Sequence, residues 1–382
     1  MKKLFYLLLL IFSCFNFAQK TFAIEDPLTV TNNKIGIHIL FPQELDAAAR
    51  LVNSNGGDWG YITIPIQIND LKIEKWQPFM DLAKEKHLIP IIRLATESYY
   101  FNSIVWVKPA YSDVLDFANF LNSLDWPTKN RYVVIFNEPN RADEWQADPS
   151  PSEYANILSY AAEIFKSLSP DFFIISAGLD NAAPTVHGQS INEYTFLQEM
   201  NNEIPAVFDQ IDGFASHSYP NPGFSQPPFV ATPKNISSFS FEKNFIQRFT
   251  QKDIPVFITE TGWSKSAISD ATAAFYYSHA FSSVWSDKSV VAVTPFLLRA
   301  GAGPFIDFSF VGNDQKPTLE YRALETLIKI KGSPVLVRSK TEENVKRDFL
   351  PAKKFAALNP TNTIVLKESL RLKTLLKWFL RI

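Results

Sequence analysis

The chain has 382 residues, 46% of them apolar, 14% aromatic and 20% charged, with a formal net charge of −2. This composition is too apolar for a disordered chain and is ample for a large core. The near-neutral balance excludes a global field that would draw the chain onto nucleic acid or a membrane.

Residues 1–23, MKKLFYLLLLIFSCFNFAQKTFA, combine two lysines, an apolar run and a small-residue exit, which is the pattern of a secretory signal peptide. Cleavage is expected after Ala23, with Ala18 as the alternative. The apolar run is short for a membrane span. The single cysteine, Cys14, lies inside this segment. A processed chain would therefore carry no thiol, which excludes disulfides, cysteine–zinc sites and a cysteine nucleophile. Lipidation of Cys14 is a rival reading, and the bulky Phe12 argues against it. The expected location is secreted or in the cell envelope.

Eight segments rich in Ile, Val and Phe then follow: 35–40, 59–66, 88–96, 132–139, 172–180, 211–220, 254–263 and 290–298. Each reads as a buried strand. Amphipathic helical patterns separate most of them, including 73–87 and 152–168, the latter with Ser152 and Glu153 in a capped first turn. The pattern of 316–332 gives a last helix stopped at Gly332. Strand and helix alternate at the spacing of a βα unit, so the expected class is α/β, a parallel (β/α)8 TIM barrel spanning 24–332. An open doubly wound sheet would need a Gly-rich turn after the first strand, and HILFPQELD has none.

Active groups in such barrels sit at the carboxyl ends of the strands. Here those ends carry His38, Arg93, Asn137 with Glu138, His217 with Tyr219, and Glu260 followed by Trp263. Period-two alternation puts Val134, Phe136 and Glu138 on one face of their strand and Val256, Ile258 and Glu260 on one face of theirs, which aims both carboxylates into the barrel mouth. Two carboxylates facing across the mouth suit glycoside hydrolysis, one attacking the sugar and one holding a proton for the leaving oxygen. Each residue also has a plainer reading. Glu138 could open a helix, His217 could be a satisfied strand-end histidine, and His38 and Arg93 could simply pair with a mouth carboxylate. Trp263 is either packing or a platform for a sugar's C–H face. Trp59, Tyr99, Tyr100, Trp106 and Trp145 are candidate outer subsites, or core and loop anchors.

The stretches IFNEPN (135–140) and FITETGW (257–263) resemble the fourth- and seventh-strand signatures of the retaining (β/α)8 glycoside hydrolases of clan A. The resemblance covers roughly residues 34–332. It implies Glu138 as general acid/base, Asn137 on the sugar 2-hydroxyl, and Glu260 as nucleophile. It also implies that His217 and Tyr219 orient the nucleophile and the sugar, and that Arg93 contacts the nucleophile. The clan commonly ends strand eight on a Trp, whereas this chain reads VTPFLLRAG there. Phe296 or Trp263 would then supply the platform.

No cofactor is expected. A metal-dependent barrel would start with His-x-His, and GIHIL offers His38 alone; no strand ends on a Schiff-base lysine. His87, His187 and His279 read as surface or helix residues. Residues 333–382 read as a polar linker followed by a basic amphipathic helix. Lys367, Arg371, Lys377 and Arg381 lie on one side, with Leu375, Leu376, Phe379 and Ile382 largely opposite. That helix suits a membrane surface or the barrel's outside. The expected partner is an oligo- or polysaccharide, with no nucleic acid. The combined expectation is a retaining glycoside hydrolase acting on β-linked substrates. Its rival is a non-catalytic sugar-binding barrel, which would lack the carboxylate geometry.

Overall fold

A computed structural model describes residues 24–96, 105–301 and 303–337. The signal-peptide segment with Cys14, the residues Tyr99 and Tyr100, and the tail from residue 338 lie outside the described residues. Eight strands alternate with eight α-helices among the residues described. The strands are β1 (Gly36–His38), β2 (Gly60–Gln67), β3 (Leu88–Ala95), β4 (Arg131–Val134), β5 (Phe172–Ile175), β6 (Phe214–His217), β7 (Val256–Glu260) and β8 (Val290–Val293). The helices are α1 (Leu45–Val52), α2 (Ile73–Glu85), α3 (Tyr111–Ser123), α4 (Pro151–Leu168), α5 (Glu193–Glu203), α6 (Ser238–Ile246), α7 (Asp270–Ser282) and α8 (Leu319–Thr326).

All neighbouring strands pair in parallel, in the orders β1 to β5 and β6 to β8. Single parallel bridges, Ile175 with Gly213 and Ile35 with Val293, join the two runs into a closed ring. This is the (β/α)8 barrel. Strand side chains alternate between two cores. Tyr61, Ile91, Tyr132, Val134, Phe173, Phe257 and Ala292 fill the barrel. Ile62, Ile64, Ile92, Val133 and Ile258 face outward and pack with helix residues such as Trp76, Phe79 and Phe165. Each such buried large apolar side chain contributes about 1.5–3 kcal/mol.

Helix α4 shows how the outer layer fixes the site. Tyr154, Leu158, Ala161 and Phe165 form its buried stripe, spaced to face one side of a helix. The Tyr154 hydroxyl donates to the Ile135 carbonyl at 3.1 Å and accepts from the Ala177 amide at 2.5 Å. One phenol thus pins the chain just beyond β4 and β5. The helix is capped by Ser150, whose Oγ accepts from the Glu153 amide, with Pro151 in the first turn. Ser152 is therefore inside the helix and not its cap. A proline needs no amide partner there, and its fixed φ suits the position.

Two other expectations are corrected. The last helix stops at Thr326, well before Gly332. The chain then runs along the barrel floor, where Lys331 bridges Asp58, Lys129 N–H donates to Val335 C=O, and Thr128 bridges Leu336. The alternation argument also fails. Val134 fills the barrel, but β4 has ended by Phe136, whose φ of 65° turns its ring outward against Phe117 of α3. Val256 and Ile258 belong to the outer layer. Glu260 reaches the mouth because the β6–β7 register slips: Ser216 pairs with Ile258 and His217 with Glu260.

Candidate active site

The carboxyl ends of the strands bring Glu138 and Glu260 together over the barrel. Both are buried. Glu138 is presented by a loop in which Phe136 and Glu138 have φ values of 65° and 32°. Non-glycine residues pay about 1–3 kcal/mol for such conformations, a cost concentrated at functional sites. Asn140 holds this loop to the one after β5. Its Oδ1 accepts from the Asp180 amide, and its Nδ2 donates to the Asp180 and Ile191 carbonyls, each at 3.1 Å.

Glu260 receives two donors. Arg93 Nη1 lies 2.6 Å from its Oε1 and the Tyr219 hydroxyl 3.1 Å from its Oε2. The same Arg93 nitrogen donates to Asn137 Oδ1 at 2.7 Å, so Asn137 is oriented beside Glu260. Glu138 is held by His217, whose Nδ1 is 2.8 Å from Oε1, and by Arg141, whose Nη1 is 2.5 Å from Oε2. His217 Nδ1 is also 3.9 Å from Glu260 Oε2. One ring nitrogen therefore stands between the two carboxylates.

The electrostatics follow from these contacts. Burial pushes the Glu138 carboxyl up, but the Arg141 charge and the His217 hydrogen bond outweigh it and hold it down at about 2. Burial pushes His217 down, and the charges of Glu260 and Glu138 more than reverse this. His38 is fully buried, and burial followed by the nearby Arg93 and His217 charges keeps it well below the usual imidazole range. It is therefore neutral, with Nε2 3.8 Å from Glu260 Oε1. Burial and the Asp143 carboxylate push Glu144, on the same loop as Glu138, up to about 8.

One wall of the mouth is apolar, built by Leu40, Phe224, Phe296 and Phe308 with Tyr219 and Phe305 beside them. Phe296 stands at the end of β8, edge-on to His38 at 5.0 Å. Its peptide to Leu297 is cis. Gly178 makes room for His217, since a Cβ there would lie 2.2 Å from the imidazole Cδ2.

The structure thus gathers Glu138, Glu260, Asn137, His217, Tyr219, Arg93 and His38 at one mouth. It does not bring Trp263 there. That indole is 1% exposed, donates to the Gln226 carbonyl and packs on Tyr277 and Trp285. No face is left for a sugar. Trp145 is likewise buried against Tyr154. Trp59 stacks on His87 at the floor, at the opposite end of the barrel. Trp106 is half-buried and joins the rim, donating its amide to Asp143 C=O. Sequence reading overlooked Arg141, Asp143 and Gly178. Among the described residues no group of three or more His, Cys, Asp or Glu could hold a metal ion.

The sequence matches no protein-family model and no curated protein. Solved structures do share the fold. A family 39 glycoside hydrolase from the gut symbiont Bacteroides cellulosilyticus WH2 superposes with a TM-score of 0.54 at 18% identity, over 79% of this chain and 64% of that one. This chain therefore spans less than two thirds of that relative. A GH39 beta-xylosidase from Caulobacter crescentus gives 0.55 at 14% identity, over 80% and 72%. A GH128 (subgroup II) endo-beta-1,3-glucanase from Sorangium cellulosum gives 0.53 at 13%, over 77% and 98%. The chain has the (β/α)8 fold of the clan A glycoside hydrolases.

Proposed function

We propose that the protein is a retaining glycoside hydrolase that cleaves β-linked glycosides outside the cytoplasm. The observation that carries this reading is the position of His217 Nδ1, 2.8 Å from Glu138 and 3.9 Å from Glu260. The two carboxylate oxygens it faces are therefore no more than about 7 Å apart, a bound that accommodates the carboxyl spacing of about 5–5.5 Å used in retention. The structural relatives, which are glycoside hydrolases by name, support the reaction class. The export part of this reading rests on the signal-peptide pattern of residues 1–23.

The chemistry assigns roles from the contacts. Glu260, oriented by Arg93 and Tyr219, attacks the anomeric carbon. Glu138 gives a proton to the glycosidic oxygen as the C–O bond breaks, and the aglycone leaves as an alcohol. Glu138 then takes a proton from water, whose oxygen attacks the same carbon and releases Glu260. Asn137 has its oxygen occupied by Arg93, which turns its amide N–H groups to the sugar 2-hydroxyl. Phe296 and the aromatic wall supply an apolar face for the ring.

A 2-deoxy-2-fluoro glycosyl fluoride tests this directly. The expected result is a stable adduct of one sugar mass on the peptide containing Glu260, because the fluorine slows release of the glycosyl-enzyme. An active protein that forms no adduct with any such sugar would contradict the double displacement. Gly178→Ala adds a methyl into the imidazole. It is expected to displace His217 and lower kcat/KM by about 10²-fold, as misplacing a positioning group does, with the melting temperature showing whether the fold holds.

A further inference from the structure

The double displacement uses Arg93 and leaves Arg141 without a role. Arg141 is 6% exposed. Its Nε donates to Asp143 Oδ1 at 3.0 Å and its Nη2 to Asp143 Oδ2, while Nη1 donates to Glu138 Oε2 at 2.5 Å. Both oxygens of Glu138 are therefore occupied, Oε2 by a guanidinium and Oε1 by His217. A guanidinium offers only donors. The Oε2 that faces Nη1 cannot carry a proton while that contact stands. A general acid needs one oxygen to hold the proton and face the leaving group.

We propose that Arg141 is a latch on the acid/base: it holds Glu138 as a carboxylate in the free protein and passes wholly to Asp143 when substrate seats. The proposal rests on reading Glu138 as the acid/base. Asp143 is a suitable second seat, since it already grips two guanidinium nitrogens and its side chain is 34% exposed to water. The contact leaves Glu138 held down at about 2 despite its burial. The Arg141 charge is the largest contribution to this lowering, and His217 supplies the next. Glu260 on β7, Glu193 on α5 and Glu144 on its own loop are acidic groups that would push the carboxyl up where ionised. Asp180, after β5, acts on Arg141. The cations are Arg141, Arg93 on β3, which is committed to Glu260, and His217 on β6 when protonated.

The latch favours the form of Glu138 needed in one step and opposes the form needed in the other. For bond cleavage Glu138 must arrive protonated, so substrate binding draws a proton from solvent as Arg141 leaves. The proton passes to the glycosidic oxygen, the aglycone departs, and Glu138 is again a carboxylate to which Nη1 can return. Release of the glycosyl-enzyme needs that carboxylate as base, and the proton taken from water restores the acid. Arg141 is thus a positioning residue acting through Glu138.

The test compares wild type with Arg141→Gln by ¹³C NMR titration of the Glu138 carboxyl, assigned with Glu138→Gln. The expected result is a midpoint raised in Arg141→Gln by at least about one pH unit, the usual effect of a guanidinium on a neighbouring carboxylate. Equal midpoints would overturn the latch, whether or not the protein is a hydrolase. In kinetics, the alkaline limb of kcat/KM should move up in Arg141→Gln for an alkyl glycoside, whose leaving group needs a proton. It should not move for a dinitrophenyl glycoside. Asp143→Asn keeps Arg141 and weakens its second seat, so it should lose at least about tenfold on the alkyl substrate and much less on the dinitrophenyl one. Equal losses on both substrates would mean a merely structural pair. Wild-type silence on every glycoside would overturn the hydrolase reading, and the NMR midpoints would still decide whether Arg141 holds the carboxylate.

Discussion

Glu260→Ala is expected to lower kcat/KM on any productive glycoside by at least about 10⁴-fold, a loss near 5.5 kcal/mol of transition-state stabilisation. The reason is covalent. Without the carboxylate there is no atom to hold the anomeric carbon between the two displacements. Arg93 and Tyr219 would then face an empty position, since both donate to Glu260. The loss should be equal for good and poor leaving groups, because attack is common to both. Full activity in Glu260→Ala, measured against a panel of β-linked polysaccharides and aryl glycosides, would move the nucleophile elsewhere.

Glu138→Ala should behave differently. The acid matters most where the leaving group is a poor one, so alkyl glycosides should lose about 10²–10⁴-fold. A dinitrophenyl glycoside departs without a proton and should still be cleaved in the first step. Its glycosyl-enzyme would then accumulate, since no base activates water, and would appear as a burst of phenol followed by a slow steady state. Added azide, which needs no base, should restore turnover. Alkyl-glycoside activity that survives Glu138→Ala would mean that another carboxyl supplies the proton. Glu144, pushed up to about 8 by burial and Asp143, would be the next to test.

The barrel was legible because its strands are short apolar runs such as YVVI and VFIT, separated by helical stripes such as that of α4. The paired glutamates were legible because strand ends in this fold point to one rim. What failed did so for local reasons. Alternation was carried past Val134, where the strand had ended and Phe136 had turned to positive φ. On β7 the slipped register delivered Glu260, which regular alternation would have placed with Val256 and Ile258 on the outer face. Its place beside Glu260 in sequence suggests Trp263 as a sugar platform, while Trp145 and Trp59 admit either an outer subsite or a core anchor, and the structure buries all three. A barrel with two concentric cores instead takes large indoles into its packing. Arg141 was invisible for another reason. A turn in which its amide donates to Glu138 C=O at 3.0 Å folds the guanidinium back onto the carboxylate, and no sequence period encodes that return.

The most direct measurement on the central claim is the anomeric configuration of the azide product made by Glu260→Gly from a β-configured dinitrophenyl glycoside. With Glu260 as nucleophile, its side is vacated and azide enters there, giving the α-glycosyl azide as the expected product, identified by its anomeric coupling in proton NMR. A β-glycosyl azide, or full hydrolysis undiminished by the mutation, would contradict Glu260 as nucleophile and the retaining mechanism built on it.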